Sequence, residues 1–412
     1  MVSDPLKKIF ELIDGYADEM IELQKGMTAI PALGPENDGT GEKEKAVWLE
    51  KWMEERLGFD TVEHYDAPDE RVPSGIRPNI VAIMKGASSE RRVWVMGHMD
   101  VVPPGDLKKW DTDPYEVVVK DGKLFGRGTE DNQHGIVIPL FALKAIKEAG
   151  VQLPYDVGVV LVADEETGSE YGLTHVLKNS DLFGKDDYII VPDAGEPDGA
   201  MIEVAEKSIY WLKVETKGKQ CHASTPSAGT NAHYAAAHLI TRLHALYDIF
   251  DRKDEVFDPP ISTFEATKKE ANVPNINTIP GDDVFYLDMR VLPGIPLADV
   301  DAEIRKIADG VEEEFGVKIA TSTAQKEEAA PATPVDAPVV KALSKAIKEV
   351  YGIDARPMGI GGGTVAAVFR RAGFNAVVWS KIPDTCHQPN EYTTVEGMVG
   401  DSKILAHLFL EG

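Results

Sequence analysis

Three apolar runs constrain this chain more than any other feature: 93–96 (VWVM), 157–163 (VGVVLVA) and 188–191 (YIIV). They are too short and too apolar for exposed strands, so each predicts a strand buried on both faces. Helical patterns supply the cover. Leu6, Ile9, Phe10, Ile13 and Tyr16 recur at helical spacing, and 42–56 predicts a second helix with Ala46, Val47, Leu49 and Trp52 inward. A third helix is predicted over 136–149, stopped by Gly150. Further strands are predicted at 61–65 and 79–84, and Asp121-Gly122 between 116–119 and 123–125 signals a hairpin. Strands alternating with helices predict an α/β layer around a mixed, largely parallel sheet.

The texture changes near Lys207. IYWLKVETKG alternates apolar and polar residues, as a strand with one wet face does. A helix (232–250), a strand (285–291), a helix (298–315) and a strand (318–324) follow, the pattern of a compact α+β unit. KEEAAPATPVDAP then reads as a linker. A helix (339–351), a glycine turn, a second helix, the strand NAVVWS and a final helix resume the first layer. The division predicted is a catalytic domain of residues 1–206 and 327–412 with an inserted domain of 207–326. At 412 residues, two domains are also what core size favours.

A net charge of −26 argues against nucleic acid and anionic membrane surfaces as partners. Two cysteines, Cys221 and Cys386, exclude a disulfide framework and suit a reducing compartment. The N-terminal stretch is charged throughout and has no apolar signal region, so a cytoplasmic location is expected.

Chemistry-bearing residues gather where strands are predicted to end, the place where open α/β sheets bind ligands. His98 and Asp100, in GHMD, lie two apart and share a face of extended chain. Asp131 follows the turn GRGTE, Glu165 and Glu166 stand in ADEETG, Asp193 in VPDAGE, and His387 in TCHQPNE. Singly these are weak: Asp131 reads as a helix cap, and the carboxylate run as a solvated loop. Together they offer two histidines, several carboxylates and no thiolate cluster. Such a set fits a pair of zinc-like divalent ions bridged by a shared carboxylate, with an unligated carboxylate as general base.

HMDVVPPG, GRGTEDN, DEETGS, VPDAG, KGKQCHAS, NINTIPG, DMRVLP and CHQPNEY, in this order, resemble the zinc metallopeptidase family of acetylornithine deacetylase, succinyl-diaminopimelate desuccinylase, aminoacylase-1 and carboxypeptidase G. The resemblance implies a di-zinc aminopeptidase-like catalytic domain carrying an inserted lid and dimerisation domain. It implies that Asp131 bridges two metals, most readily zinc with cobalt or manganese as substitutes, that His98 and Asp193 complete one site, and that Glu166 and His387 complete the other. Glu196 stands near Asp193 as the alternative third carboxylate. Glu165 is implied as the base that activates the bridging water, and Asp100 as the orienter of His98. A cis peptide is implied at Asp131–Asn132.

In the inserted domain, His222 is implied to reach the partner subunit's site in a homodimer and stabilise an oxyanion. Asn277, Arg290 and the turn with Gly362, Gly363 and Thr364 are implied to hold a small carboxylate-bearing substrate. The chain departs from the family after that turn, where an acidic residue and an arginine are usual and Val365-Ala366-Ala367 stands instead, so family specificities do not transfer. Trp110 and both cysteines read as packing residues. The function expected is hydrolysis of the amide of an N-acyl amino acid. A dipeptidase or carboxypeptidase on the same scaffold is the alternative, and an inactive binding homologue a remoter one.

Overall fold

The computed structural model describes residues 3–412, which form two compact units. The larger comprises the chain up to Val204, then Thr333–Pro357 and Thr364–Gly412; the smaller comprises Ala205–Ala332 and Met358–Gly363.

The larger unit is built on an eight-stranded sheet in the order Thr61–His64, Ile80–Met84, Tyr155–Val162, Ser88–His98, Tyr188–Val191, Ala376–Val378, Met201–Glu206, Arg356–Ile360. The three apolar runs lie side by side at its centre. Tyr155–Val162, Ser88–His98, Tyr188–Val191 and Ala376–Val378 run parallel, while the strands flanking them pair antiparallel. Register places His98 beside Val162, Val95 beside Ile190 and Val378 beside Val191. The carboxyl ends of all four parallel strands therefore open on one edge of the sheet.

Both faces are covered, as the absence of alternation requires. On one, Trp94, Met96, Val160, Val162, Ile189 and Val191 pack with Leu173 and Val176 of the helix Leu173–Asn179 and with Phe369 of the helix Ala366–Arg371. Trp94 finds room because Gly158 is its parallel partner: a Cβ there would stand 2.1 Å from the indole. On the other, the helix Gln133–Ala149 is buried from Gln133 to Ile146, held between the sheet and the helices Val395–Glu411 and Asp4–Asp14. This burial all round explains why the helix is apolar throughout rather than striped.

Some local expectations are corrected. The N-terminal pattern forms two helices, Asp4–Asp14 and Ala17–Thr28, broken at Gly15; residues 1 and 2 lie outside the described residues. In the helix Lys43–Arg56, Ala46, Leu49 and Met53 point inward at helical spacing, whereas Val47, one residue round the helix, is 53% exposed. The helix expected over 232–250 is two, Ala232–Leu243 and Leu246–Ile249. The strand Thr263–Lys269 carries no apolar run, and only pairing with Asp282–Val291 reveals it.

The smaller unit has a four-stranded antiparallel sheet, ordered Thr263–Lys269, Asp282–Val291, Ser208–Lys217, Lys318–Glu327. Leu212, Val214, Phe285, Leu287 and Met289 pack against Leu239 of the helix Ala232–Leu243 and against Val300 and Ile304 of the helix Leu297–Phe315. Its last segment comes from far along the chain. Gly359 N–H donates to Val256 O at 2.7 Å, Lys207 N–H to Ile360 O at 3.0 Å, and Arg290 Nη1 to Gly361 O at 2.8 Å. These bonds tie 358–363 to the smaller unit, although the sequence division assigns that run to the larger one.

Candidate metal centre

The four strand ends and one turn deliver six side chains to one place. His98 is the last residue of its strand. Asp131 sits where the turn after Lys123–Phe125 enters the helix Gln133–Ala149, and the Asp131–Asn132 peptide is cis. The Asn132 side chain ties neighbouring ends together: Nδ2 donates to Pro192 O at 2.6 Å, and Oδ1 accepts His98 N–H at 3.3 Å. Glu165 and Glu166 open a short 3-10 turn after Tyr155–Val162, and Asp193 follows Tyr188–Val191. His387 lies in the loop beyond Ala376–Val378.

Asp131 stands in the middle with one oxygen for each histidine. Its Oδ1 is 2.9 Å from His98 Nε2, and its Oδ2 is 3.1 Å from His387 Nε2. Asp193 Oδ1 lies 3.2 Å from His98 Nε2, and Glu166 Oε2 lies 3.0 Å from His387 Nε2. Two groups of donors result, His98–Asp131–Asp193 and Asp131–Glu166–His387, each with its ligand atoms within 4.8 Å of one another. Glu196 is turned elsewhere, to Arg356 at 2.9 Å.

The donor set fits divalent cations. Ligand atoms bound tetrahedrally at about 2.0–2.1 Å stand about 3.3 Å apart, close to the spacings here. Glu166 Oε1 is buried without a hydrogen-bond donor, and Asp193 Oδ1 has only the His98 ring nitrogen near it, a costly state for a carboxylate unless a cation meets it. In the protein alone, protons take the cation's part. Burial opposes charge on His98, but Asp193, Asp100 and Asp131 outweigh it and hold the imidazole well above its usual pKa. Hydrogen bonds to Asp131 and Glu166 raise His387 to about 10. Burial and the Asp193 charge push Glu165 well above the carboxylate range.

The supporting contacts are specific. Asp100 O is 3.0 Å from His98 Nδ1, and a carbonyl only accepts, so Nδ1 carries the proton of this contact and Nε2 is left for the cluster. The Asp100 carboxylate lies farther from His98, at 3.5 Å, and instead accepts the N–H groups of Glu165 and Glu166 at 3.1 and 3.0 Å. Asp100 thus couples the orientation of His98 to the turn that carries the two glutamates. Behind that turn lies a buried ion cluster with no motif to announce it. The Arg77 guanidinium pairs with Glu42 and stands 3.4 Å from Asp164, whose φ of +61° starts the turn. Glu42, Arg77 and Asp164 are each no more than 2% exposed. Local sequence patterns carry no sign of this cluster, because its members come from three distant segments.

The remaining expected residues belong to the smaller unit, apart from Thr364. His222 is exposed, with Ser224 Oγ 2.7 Å from its Nδ1, and the ladder of Cys221–His222 with Thr278–Ile279 sets it beside Asn277. Arg290 grips Asp288 at 2.7 and 3.0 Å as well as Gly361 O. Thr364 Oγ1 lies 3.4 Å from Glu203. Trp110 is buried, with Nε1 donating to Pro104 O at 2.8 Å. Both cysteines are free, and burial raises the Cys386 thiol to about 12, which leaves it a protonated neighbour of the site.

Known proteins resemble this chain over most of its length. The model of peptidase family M20/M25/M40 matches residues 94–411. An uncharacterized metallohydrolase of Methanocaldococcus jannaschii is 40% identical over 396 residues, covering 93% of this chain and 96% of that one. A succinyl-diaminopimelate desuccinylase of Sulfurovum sp. is 29% identical over 305 residues, covering 73% and 78%. Among solved structures, human carnosine dipeptidase 1 shares the fold over 99% of both chains, with a TM-score of 0.77 at 20% identity. By the extent of the family match and the identity with a near full-length relative, the chain belongs to peptidase family M20/M25/M40 and is a metal-dependent hydrolase.

Proposed function

We propose that the protein hydrolyses the amide bond of N-acyl amino acids, as a deacylase with two divalent cations, zinc foremost, held by His98, Asp131 and Asp193 and by Asp131, Glu166 and His387. The observation that carries this reading is the Asp131 carboxylate, with one oxygen facing each histidine at 2.9 and 3.1 Å. The name of the 29% identical desuccinylase supports an acyl amino acid as substrate class. When bound, such cations polarise a carbonyl and lower the pKa of water.

The rest is work for the chain. Glu165 takes a proton from the attacking water and returns it to the leaving amine. Glu165 belongs to neither donor group, which leaves its carboxyl available for both transfers. Asp100 fixes the turn that aims Glu165. The oxyanion is met by His222 of the partner subunit in a homodimer. The substrate carboxylate is held by Asn277, Arg290 and the backbone of Gly362, Gly363 and Thr364. One feature of that turn favours a ligand there. A Cβ on Gly361 would meet nothing within 4 Å, and on Gly362 or Gly363 only Ile360 at 3.9 Å or Ile209 at 3.7 Å. None of the three glycines has a positive φ. Neither packing nor backbone demands glycine at these positions, whereas close approach of a substrate does. Two free cysteines suit a cytoplasmic enzyme.

Metal content and activity on a panel of N-acetyl and N-succinyl amino acids and dipeptides, for wild type and Glu165→Ala, test the reading. Two ions per chain, retained in the variant with activity lost by about 10²–10⁴-fold, are expected. Loss of metal with activity would mean that Glu165 is a ligand. Cleavage of dipeptides alone would shift the assignment to a dipeptidase, and a wild type with neither metal nor activity would leave a binding homologue.

A further inference from the structure

Two carboxylates are exchanged between the loop that ends at Asp131 and the loop that carries His387. From the first, Glu130 reaches across to Thr385. It accepts the Thr385 N–H at 3.0 and 2.9 Å and also the Thr385 hydroxyl. From the second, Glu391 reaches back. Its Oε1 accepts three main-chain N–H groups, those of Gly128 at 3.0 Å, Glu130 at 3.0 Å and Asp131 at 3.1 Å, while its Oε2 takes the Arg127 guanidinium. Glu130 and Glu391 are 2% and 0% exposed.

This arrangement does more than fill space. Convergent main-chain N–H groups ordinarily make a cradle for an anion, and here the anion is the protein's own side chain. The loop that it holds has no regular structure to shape it. Asp384, His387 and Asn390 have φ of +64°, +61° and +62°, a left-handed region uncommon outside glycine, which Asp, His and Asn enter more often than other residues. His387 itself is one of the three. The position of its Nε2 opposite Asp131 Oδ2 therefore depends on what clamps the two loops together.

We infer that Glu130 and Glu391 are positioning residues that set Asp131 and His387 in register before a cation arrives, and so tune the Asp131–Glu166–His387 group more strongly than the His98 group with which it shares Asp131. The inference rests on the reading that both groups hold divalent cations. His98 is carried by a paired strand, and Asp193 follows one by two residues.

The test uses the full chain stripped of metal, with Co2+ as probe, its binding followed by chelator competition and by the visible spectrum. The variants are Glu130→Gln, Thr385→Val, which puts a methyl in place of the hydroxyl shared by Glu130 and the Tyr392 N–H, and His387→Ala as the benchmark for loss of one ion. Thermal melting of each metal-free chain reports folding. Glu130→Gln is expected to weaken one ion by about 10–100-fold, the same ion that His387→Ala loses, and to change the other ion's affinity far less. Thr385→Val is expected to show a smaller loss at the same ion. Equal weakening of both ions, or wild-type affinity for both in folded Glu130→Gln and Thr385→Val, would overturn the proposal. A wild type that binds fewer than two ions would overturn the two-cation reading, and the positioning role with it.

Discussion

The two halves of the candidate metal centre are built by different means. His98 and Asp193 stand at the ends of adjacent parallel strands, and the His98 side chain has no exposed surface. His387 and Glu166 stand on a loop and a short turn, and the His387 side chain is 55% exposed. In the first half the ladder of main-chain hydrogen bonds places His98 and leads to Asp193 two residues beyond it, with the Asn132 side chain tying the two strand ends together. In the second, a short ladder between Tyr392–Thr394 and Lys123–Phe125 is supplemented by individual side chains: Asp100 on the Glu166 N–H, Glu42 and Arg77 behind Asp164, Glu130 and Glu391 across the loops. A paired donor cluster can thus combine a ligand held on a strand with ligands held on loops.

The largest effect that separates the halves is expected from removing each histidine in turn. His98→Ala leaves Asp131 and Asp193 as neighbouring buried carboxylates without their imidazole, so both ions and activity are expected to be lost, with a fall in melting temperature. His387→Ala is expected to lose one ion, keep the other, and melt close to wild type, because water reaches its place. Metal analysis with calorimetry checks this; equal losses in the two variants would erase the distinction.

Arg77→Met comes next. Glu42 and Asp164 would be left buried without their cation, at a cost of about 3–5 kcal/mol, read by urea unfolding. The disorder falls on the turn carrying Glu165 and Glu166, so kcat is expected to drop while the ion at His98 stays bound. Loss of the His98 ion instead would show that the halves share one scaffold.

The smallest effect is expected at Asn390. Its side chain accepts Asp111 N–H at 2.9 Å while its backbone holds a φ of +62°. Asn390→Ala should cost about 1–2 kcal/mol and lower the affinity of the second ion a few-fold, with no change at the first. Chelator titration distinguishes the two.

The same contrast governs what could be read from the chain beforehand. The strands under His98, Glu165 and Asp193 were legible because a buried parallel strand must be apolar throughout, and each chemistry-bearing residue follows such a run directly. Asp131 and His387 were legible through composition, as a carboxylate and a histidine beyond turns. Glu42, Arg77, Glu130 and Glu391 were not assigned roles, since a buried ion pair leaves no periodic trace and its partners lie 35 to 264 residues apart. Nor did local pattern show that Val47 faces outward.

By itself the sequence determined most of the elements and the apolar centre of the sheet, because burial and helical or strand periodicity act over a few neighbouring residues; the candidate ligands took their roles from a family resemblance. Only the tertiary structure decided the strand order, the attachment of Met358–Gly363 to the smaller unit, and which oxygen of Asp131 meets which histidine. Those depend on hydrogen bonds and charges between segments far apart in the chain, and no local pattern encodes which distant partner a buried carboxylate will find.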